Sequence, residues 1–420
     1  MRVAIIGSGI TGLAAARALA PRHDVTIFEA ADQPGGHVYT VELPGAAGGV
    51  AVDMGFIVHN RDNYPRFCAM LDELGVATRP TTMSFSVSHD GLEWGSESLS
   101  AVFAQRRRLV DPRHWKLLVE IVRFLAQARR DLPALHAVPA ARAESLDDYL
   151  VRRRVSRDVR DRFVVPLAAA LWSLAPELCG EFPAVAYIKF LDQHGMLSPL
   201  RPLAWRTIEG GSRRYVDALL ARLPVSLRLS TPVACIERRA TGALIDGERF
   251  DRAIVCTHAD TALRLLAEPT SEERRVLGAF RYSTNRTVLH TDRSFLPAAR
   301  AAHASWNYVA APGAGVAVTY SMTRLQGLPE LRGAPYLVTL NPRTEPRGTL
   351  HEVTFQHPQL DRIALTAQAE VAQLPGPVQF AGAHLGFGFH EDGMRAGELA
   401  AARVERLAAS AHGTDEAAIA

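Results

Sequence analysis

The chain begins with a short apolar run, Val3-Ala-Ile-Ile6, which gives way to glycines and then to the helix-forming stretch Leu13-Ala-Ala-Ala-Arg-Ala-Leu-Ala20. A second apolar run, Val25-Thr-Ile-Phe28, follows, so residues 1–30 predict a strand–helix–strand unit. Short strands are expected around Val52-Asp53-Met-Gly55-Phe56. From about Leu99 to Arg206 the pattern turns helical, with several amphipathic runs. A helix over Tyr215–Leu223 then leads into strands Val225–Leu229 and Val233–Glu237, a hairpin, and a buried strand at Ala253-Ile-Val-Cys-Thr257. Residues 262–370 begin helical and become alternating and strand-rich. The apolar run Val378–Gly382, followed by glycines and a helix start, returns the chain to the first region, so that the two ends look like halves of one site. The pattern predicts two regions that each leave and re-enter the chain.

The glycines after the first strand fall as Gly7-x-Gly9-x-x-Gly12, with Ile10 and Thr11 between them and Glu29-Ala30 closing the second strand. A lone pattern of this kind carries little weight. Here strand, glycines, helix and acidic residue all stand in the order that a dinucleotide site needs. The glycines let the backbone approach a pyrophosphate, whose charge sits at the helix N-terminus. Glu29 is placed to accept hydrogen bonds from a ribose hydroxyl pair.

Composition narrows the rest. With 420 residues, 48% apolar and 22% charged, the chain is long enough for two intertwined domains, and a net charge of +3 makes no case for nucleic acid. The basic residues are nearly all arginine; Lys116 and Lys189 are the only lysines, so few amines are available for catalysis. Cys68, Cys179, Cys235 and Cys256 form no CxxC pair, which argues against a metal site or disulfide framework and fits a reducing cytoplasm. The first apolar run opens directly into the glycine motif, with no signal-peptide pattern, and no stretch reaches the ~20 uninterrupted apolar residues of a membrane span.

The glycine fingerprint, the Pro34-Gly35-Gly36 loop, Asp53-x-Gly55, the turn Gly210-Gly211-Ser212 and the closing Phe380-Ala-Gly382…Gly393…Gly397 segment occur in this order. Over essentially its whole length the chain resembles the flavin-dependent amine oxidase, phytoene desaturase and protoporphyrinogen oxidase superfamily. Stretches such as GGHVYTVEL, DMGFIVHN, AALWSLAP and WRTIEGGSRRYV resemble a bacterial FAD-binding subgroup often encoded beside fatty-acyl methyltransferases. One relative in it desaturates methylated acyl chains in furan fatty acid formation.

The resemblance implies an α/β fold in which a Rossmann-like FAD-binding domain of glutathione-reductase type is interleaved with an α+β substrate domain. Its implied partition gives residues 1–80, 205–260 and 375–412 to the first, 81–204 and 261–374 to the second, and 413–420 to a disordered tail. It also implies noncovalent FAD, held by Gly7, Gly9, Ile10, Thr11 and Gly12 at the pyrophosphate and by Glu29 and Ala30 at the ribose. Gly35, Gly36, His37, Gly55 and Phe56 would lie beside the phosphates or ring system, and Val233 would pair with the adenine through its backbone. Gly382, Phe389, His390 and Glu391 would close over the flavin, with a helix N-terminus favouring its anionic reduced form. His37 stands where relatives carry arginine, so a fixed positive charge is not expected there.

For the chemistry, His194 is the expected proton acceptor, with Tyr187 beside it and Phe389 as the aromatic residue facing the flavin. The resemblance implies hydride removal from a methylated fatty acyl or lipid chain. The alternatives are oxidation of a small or natural-product amine, and a flavin-binding accessory role beside a SAM-dependent methyltransferase. A basic run at Gln105–Arg108, followed by the stripe Trp115, Leu118, Val119, Val122 and Leu125, suits either a core-packed helix or peripheral contact with an anionic membrane on its cytoplasmic face.

Overall fold

A computed structural model describes residues 1–44, 49–172, 176–197, 203–311 and 315–417. Five short strands form one parallel sheet: β1 (Arg2–Ile6), β2 (Asp24–Phe28), β3 (Val225–Arg228), β4 (Arg252–Val255) and β5 (Val378–Phe380). Their spatial order is β3-β2-β1-β4-β5, with Ala4 opposite Thr26 on one side and Ala253 on the other. Apart from their first residues, β1 and β2 are buried throughout, as expected of parallel strands covered on both faces. The sheet draws on three distant stretches of chain, so the polypeptide leaves it twice and returns twice.

Helix α1 (Ile10–Leu19) follows β1, and α2 (Pro65–Leu74) packs nearby. The helical insertion contains the long α3 (Pro112–Ala137) and α4 (Ala184–Gln193). Helix α5 (His390–Ala417) closes the chain against α1. Backbones meet directly there. A Cβ on Gly12 would lie 1.9 Å from the Gly7 carbonyl oxygen, and one on Gly397 would lie 2.1 Å from that of Thr11. A seven-stranded sheet, running from His351–Gln359 through Arg281–His290 to Leu92–Gly95, carries the helical insertion on one side.

The expected strand at Val233 starts later, at Ile236, because the Asp246 carboxylate takes the Ala234 and Cys235 N–H groups and holds that segment as a loop. The stripe along α3 also divides. Leu125 is buried with Leu117, Ile121 and Phe124, whereas Trp115, Val119 and Val122 are exposed. Residues 413–417 of the expected disordered tail continue α5, and 418–420 lie outside the described residues.

Candidate functional site

The turn after β1 gathers the first half of the site. Gly9 precedes α1 without any side-chain cap, and the first intrahelical bond runs from Leu13 N–H to the Gly9 carbonyl. The N–H groups of Ile10, Thr11 and Gly12 therefore have no acceptor within the helix and lie at its positive end. A Cβ on Gly9 would meet nothing within 4 Å, so this backbone borders open space. The second glycine loop lies alongside: Gly9 pairs with Gly35, and Gly36 has φ +60° and would place a Cβ 3.2 Å from the Gly9 Cα.

Glu29 is fixed from both sides. Its Oε2 accepts the Ser8 N–H at 2.9 Å and hydroxyl at 2.5 Å, while Oε1 accepts the Ala31 N–H at 2.9 Å. Ala30 beside it is exposed. The main chain of Val233 forms no hydrogen bond among the described residues, although its neighbours Ala234 and Cys235 do. Open backbone over Gly9, free helix N–H groups, an oriented carboxylate and an unpaired Val233 main chain make a donor set that fits FAD.

Asp53 ties the next parts together. Fully buried, it accepts from Thr40 Oγ1, from the Ser212 N–H and hydroxyl, and from Gln326 Nε2 at 3.0 Å. Burial pushes its carboxyl up to about 6, against those hydrogen bonds. Gly55 must be glycine, since a Cβ would lie 2.0 Å from the His37 carbonyl oxygen. Asp53 and Ser212 belong to motifs visible in the sequence. Gln326 gave no signal.

A group of histidines from distant segments surrounds His37. Its ring stacks on Phe355 at 5.0 Å and lies 5.5 Å from His357 and 6.3 Å from His258, which itself stacks on Tyr282 at 4.3 Å. His37, His258, His357 and Tyr282 are all half-buried. Burial, reinforced by the neighbouring imidazoles, lowers His37 to about 3; burial and His258 lower His357 to about 4. His37 is thus a neutral group where arginine would carry charge. Residues 258, 282 and 357 were not expected here, because nothing in the local sequence marks their convergence.

The start of α5 supplies the other wall. Phe389 lies 5.2 Å from Phe190 and 5.6 Å from His194, whose ring stacks on Phe190 at 3.6 Å and on Trp205 at 5.6 Å. The structure thereby brings His194 and Phe389 together. His194 Nδ1 lies 2.9 Å from the Phe190 carbonyl, which can only accept. The neutral ring therefore carries its proton on Nδ1 and keeps the Nε2 lone pair free. Burial lowers this histidine to about 4.

Three side chains differ from expectation. Tyr187 is fully buried in the helical core, its hydroxyl 3.3 Å from the Val164 carbonyl, because α4 turns that position inward rather than to the cavity. Glu391 accepts the Arg66 and Phe67 N–H groups, both at 3.1 Å, and so caps α2 instead of reaching the flavin side. His390 stacks on Phe56 at 3.6 Å and is 3.0 Å from the Tyr215 hydroxyl, so both rings belong to the support beneath α5. A Cβ on Gly382 would clash at 2.3 Å with the His384 ring. Lys116 lies exposed on α3, and Lys189 sits over the Phe387 ring at 5.1 Å.

A model of the flavin containing amine oxidoreductases matches residues 10–355. A protein of Mycobacterium tuberculosis named as a flavin-containing monoamine oxidase, AofH, is 26% identical over 259 residues, which cover 59% of this chain and 54% of that one. The chain thus spans about half the length of that curated relative. Among solved structures, cyclohexylamine oxidase from Brevibacterium oxydans IH-35A shares the fold with TM-score 0.69 at 18% identity, covering 97% of this chain and 99% of that one. Putrescine oxidase bound to putrescine superposes with TM-score 0.69 at 16% identity, over 97% and 99% of the two chains. A CLA-producing fatty acid isomerase from P. acnes does so with TM-score 0.68 at 17% identity, over 94% and 97%. The match spans most of the sequence, so the chain belongs to the flavin containing amine oxidoreductases.

Proposed function

We propose that this oxidoreductase removes a hydride and a proton from a lipid acyl chain, desaturating a methylated fatty acyl group. FAD, when bound, supplies the hydride acceptor at N5. The observation that carries the reading is the wall formed by Phe190, His194, Trp205 and Phe389, which is aromatic and uncharged. Such a wall excludes water and receives an apolar chain with no loss of hydration, whereas an ammonium ion gives up strong hydration on entry and regains only cation–π contact from these rings. His194, with its own proton on Nδ1, would receive the substrate proton at Nε2, and the weak basicity of this buried ring suits an activated, allylic carbon acid. The likeness to a fatty acid isomerase supports a fold able to admit acyl chains.

Incubating the holoprotein with phospholipids bearing methylated unsaturated chains tests this reading. Mass spectrometry is expected to find acyl products lighter by two hydrogens, and their absence contradicts it. A second reading, amine oxidation, is favoured by the amine oxidases among the relatives and by the pairing of Phe389 with Trp205 around His194. It predicts aldehyde and peroxide from polyamines or cyclic amines, and an unchanged lipid.

A further inference from the structure

We infer that the N-terminal half of α3, with the 3₁₀ turn Arg106–Val110 before it, is a docking surface for an anionic phospholipid bilayer. The helix has two apolar faces. Leu117, Ile121, Phe124 and Ala128 are buried in the core. On the opposite side Trp115, Val119 and Val122, at i, i+4 and i+7, are 48%, 64% and 61% exposed. Leu109 and Val110, the latter 86% exposed, extend this surface through the turn. With Leu99, these make six of the thirteen exposed large apolar side chains of the described residues, so the apolar surface is concentrated rather than scattered.

The exposed charges of this segment are all basic. Arg106, Arg107, Arg113, Lys116 and Arg123 are exposed, and Arg107, Arg113 and Arg123 have no ion-pair partner among the described residues. The two acids in the segment are half-buried and engaged. Asp111 caps α3 and pairs with Arg108, and Glu120 accepts from Ser156. Trp115 is held in place, its indole N–H donating to the Leu109 carbonyl at 2.9 Å and its ring tilted on Phe103 at 5.0 Å. An exposed tryptophan among valines, ringed by unpaired arginines, matches the interface of an anionic membrane: apolar side chains enter the acyl boundary while the basic groups meet lipid phosphates. No described helix is long and apolar enough to cross a membrane, so contact at this surface is peripheral. The inference is independent of which substrate the enzyme oxidises.

Flotation of the FAD-loaded protein with vesicles of phosphatidylglycerol and phosphatidylethanolamine, against phosphatidylcholine alone, tests it. Binding is expected to anionic vesicles only and to fall steeply with salt. The triple variant Arg113→Glu, Lys116→Glu, Arg123→Glu is expected to bind at least about 100-fold more weakly, since each basic group near the surface contributes roughly fivefold. Val119→Glu with Val122→Glu is expected to abolish binding, while the flavin spectrum and melting temperature stay unchanged because these side chains touch no core. Absence of flotation with anionic vesicles at low salt overturns the proposal. So does equal binding by all variants, or a dimer that the valine variants dissociate in a protein that ignores vesicles.

Discussion

The cofactor end and the substrate wall of this molecule are built in opposite ways. At the cofactor end the work is done by backbone, namely the free N–H groups of α1, the paired loops at Gly9 and Gly35, and one oriented carboxylate, Glu29. These parts lie close together in sequence, and Gly12 among them tolerates no added atom whereas Gly9 faces open space. The proposed substrate wall is made of side chains from α4, from the segment before Ser212 and from the start of α5, drawn from distant parts of the chain. A backbone site fixes what is bound, whereas a side-chain wall can change its substrate by changing a few residues.

Substitutions at the two ends separate these roles. The largest effect is expected for Gly12→Val, whose added atoms collide with the Gly7 carbonyl; the protein is expected to purify without flavin absorbance or not to fold. Next is His194→Phe, which keeps the stack on Phe190 but removes the Nε2 acceptor. Flavin content is expected to be unchanged while turnover falls roughly 10²- to 10⁴-fold, the usual contribution of a positioned base. A turnover equal to that of the parent removes His194 from the chemistry.

Acid should weaken the molecule through its histidines. His37, His194 and His357 are held neutral by burial, with folded values of about 3, 4 and 4 against 6.5 when unfolded. The unfolded chain therefore binds more protons between those values, and stability rises with pH from about 4 to about 6.5. Asp53, raised to about 6 by burial, and Glu391 and Asp392, raised by the same cause, act in the opposite direction, but His59, His290 and His384 are lowered by burial as well and keep the histidines in the majority. Melting temperature is expected to climb across this range and then level off. His194→Phe should flatten part of the climb, and a curve unaffected by it contradicts the assignment. The smallest effect is expected for Glu29→Gln, which keeps the shape but weakens charge-assisted bonds. FAD affinity should fall about tenfold by titration of the apoprotein, with turnover at saturating FAD preserved.

The same contrast explains what could be read from the sequence. The β1–α1–β2 unit, the glycine loops and the return through β5 and α5 were legible because each is a local pattern with a backbone cause. His194 and Phe389 were each singled out, but their contact and the cluster of His37, His258 and His357 were not, since both arise only where distant segments fold together. Tyr187 misled because a tyrosine near a histidine on one helix gives no sign of which face turns inward. Glu391 misled because an acidic residue at one helix start can serve a neighbouring helix. The exposed stripe of α3 was visible as spacing, but its division into a buried and an open face required the packing.

The most direct test of the proposed chemistry is the anaerobic visible spectrum of the holoprotein mixed with a phospholipid carrying methylated unsaturated chains. The account predicts bleaching of the flavin band near roughly 450 nm by the lipid, with the band intact when polyamines or cyclohexylamine replace it. An oxidised flavin that stays yellow with lipid and bleaches with an amine would contradict it and make this chain an amine oxidase.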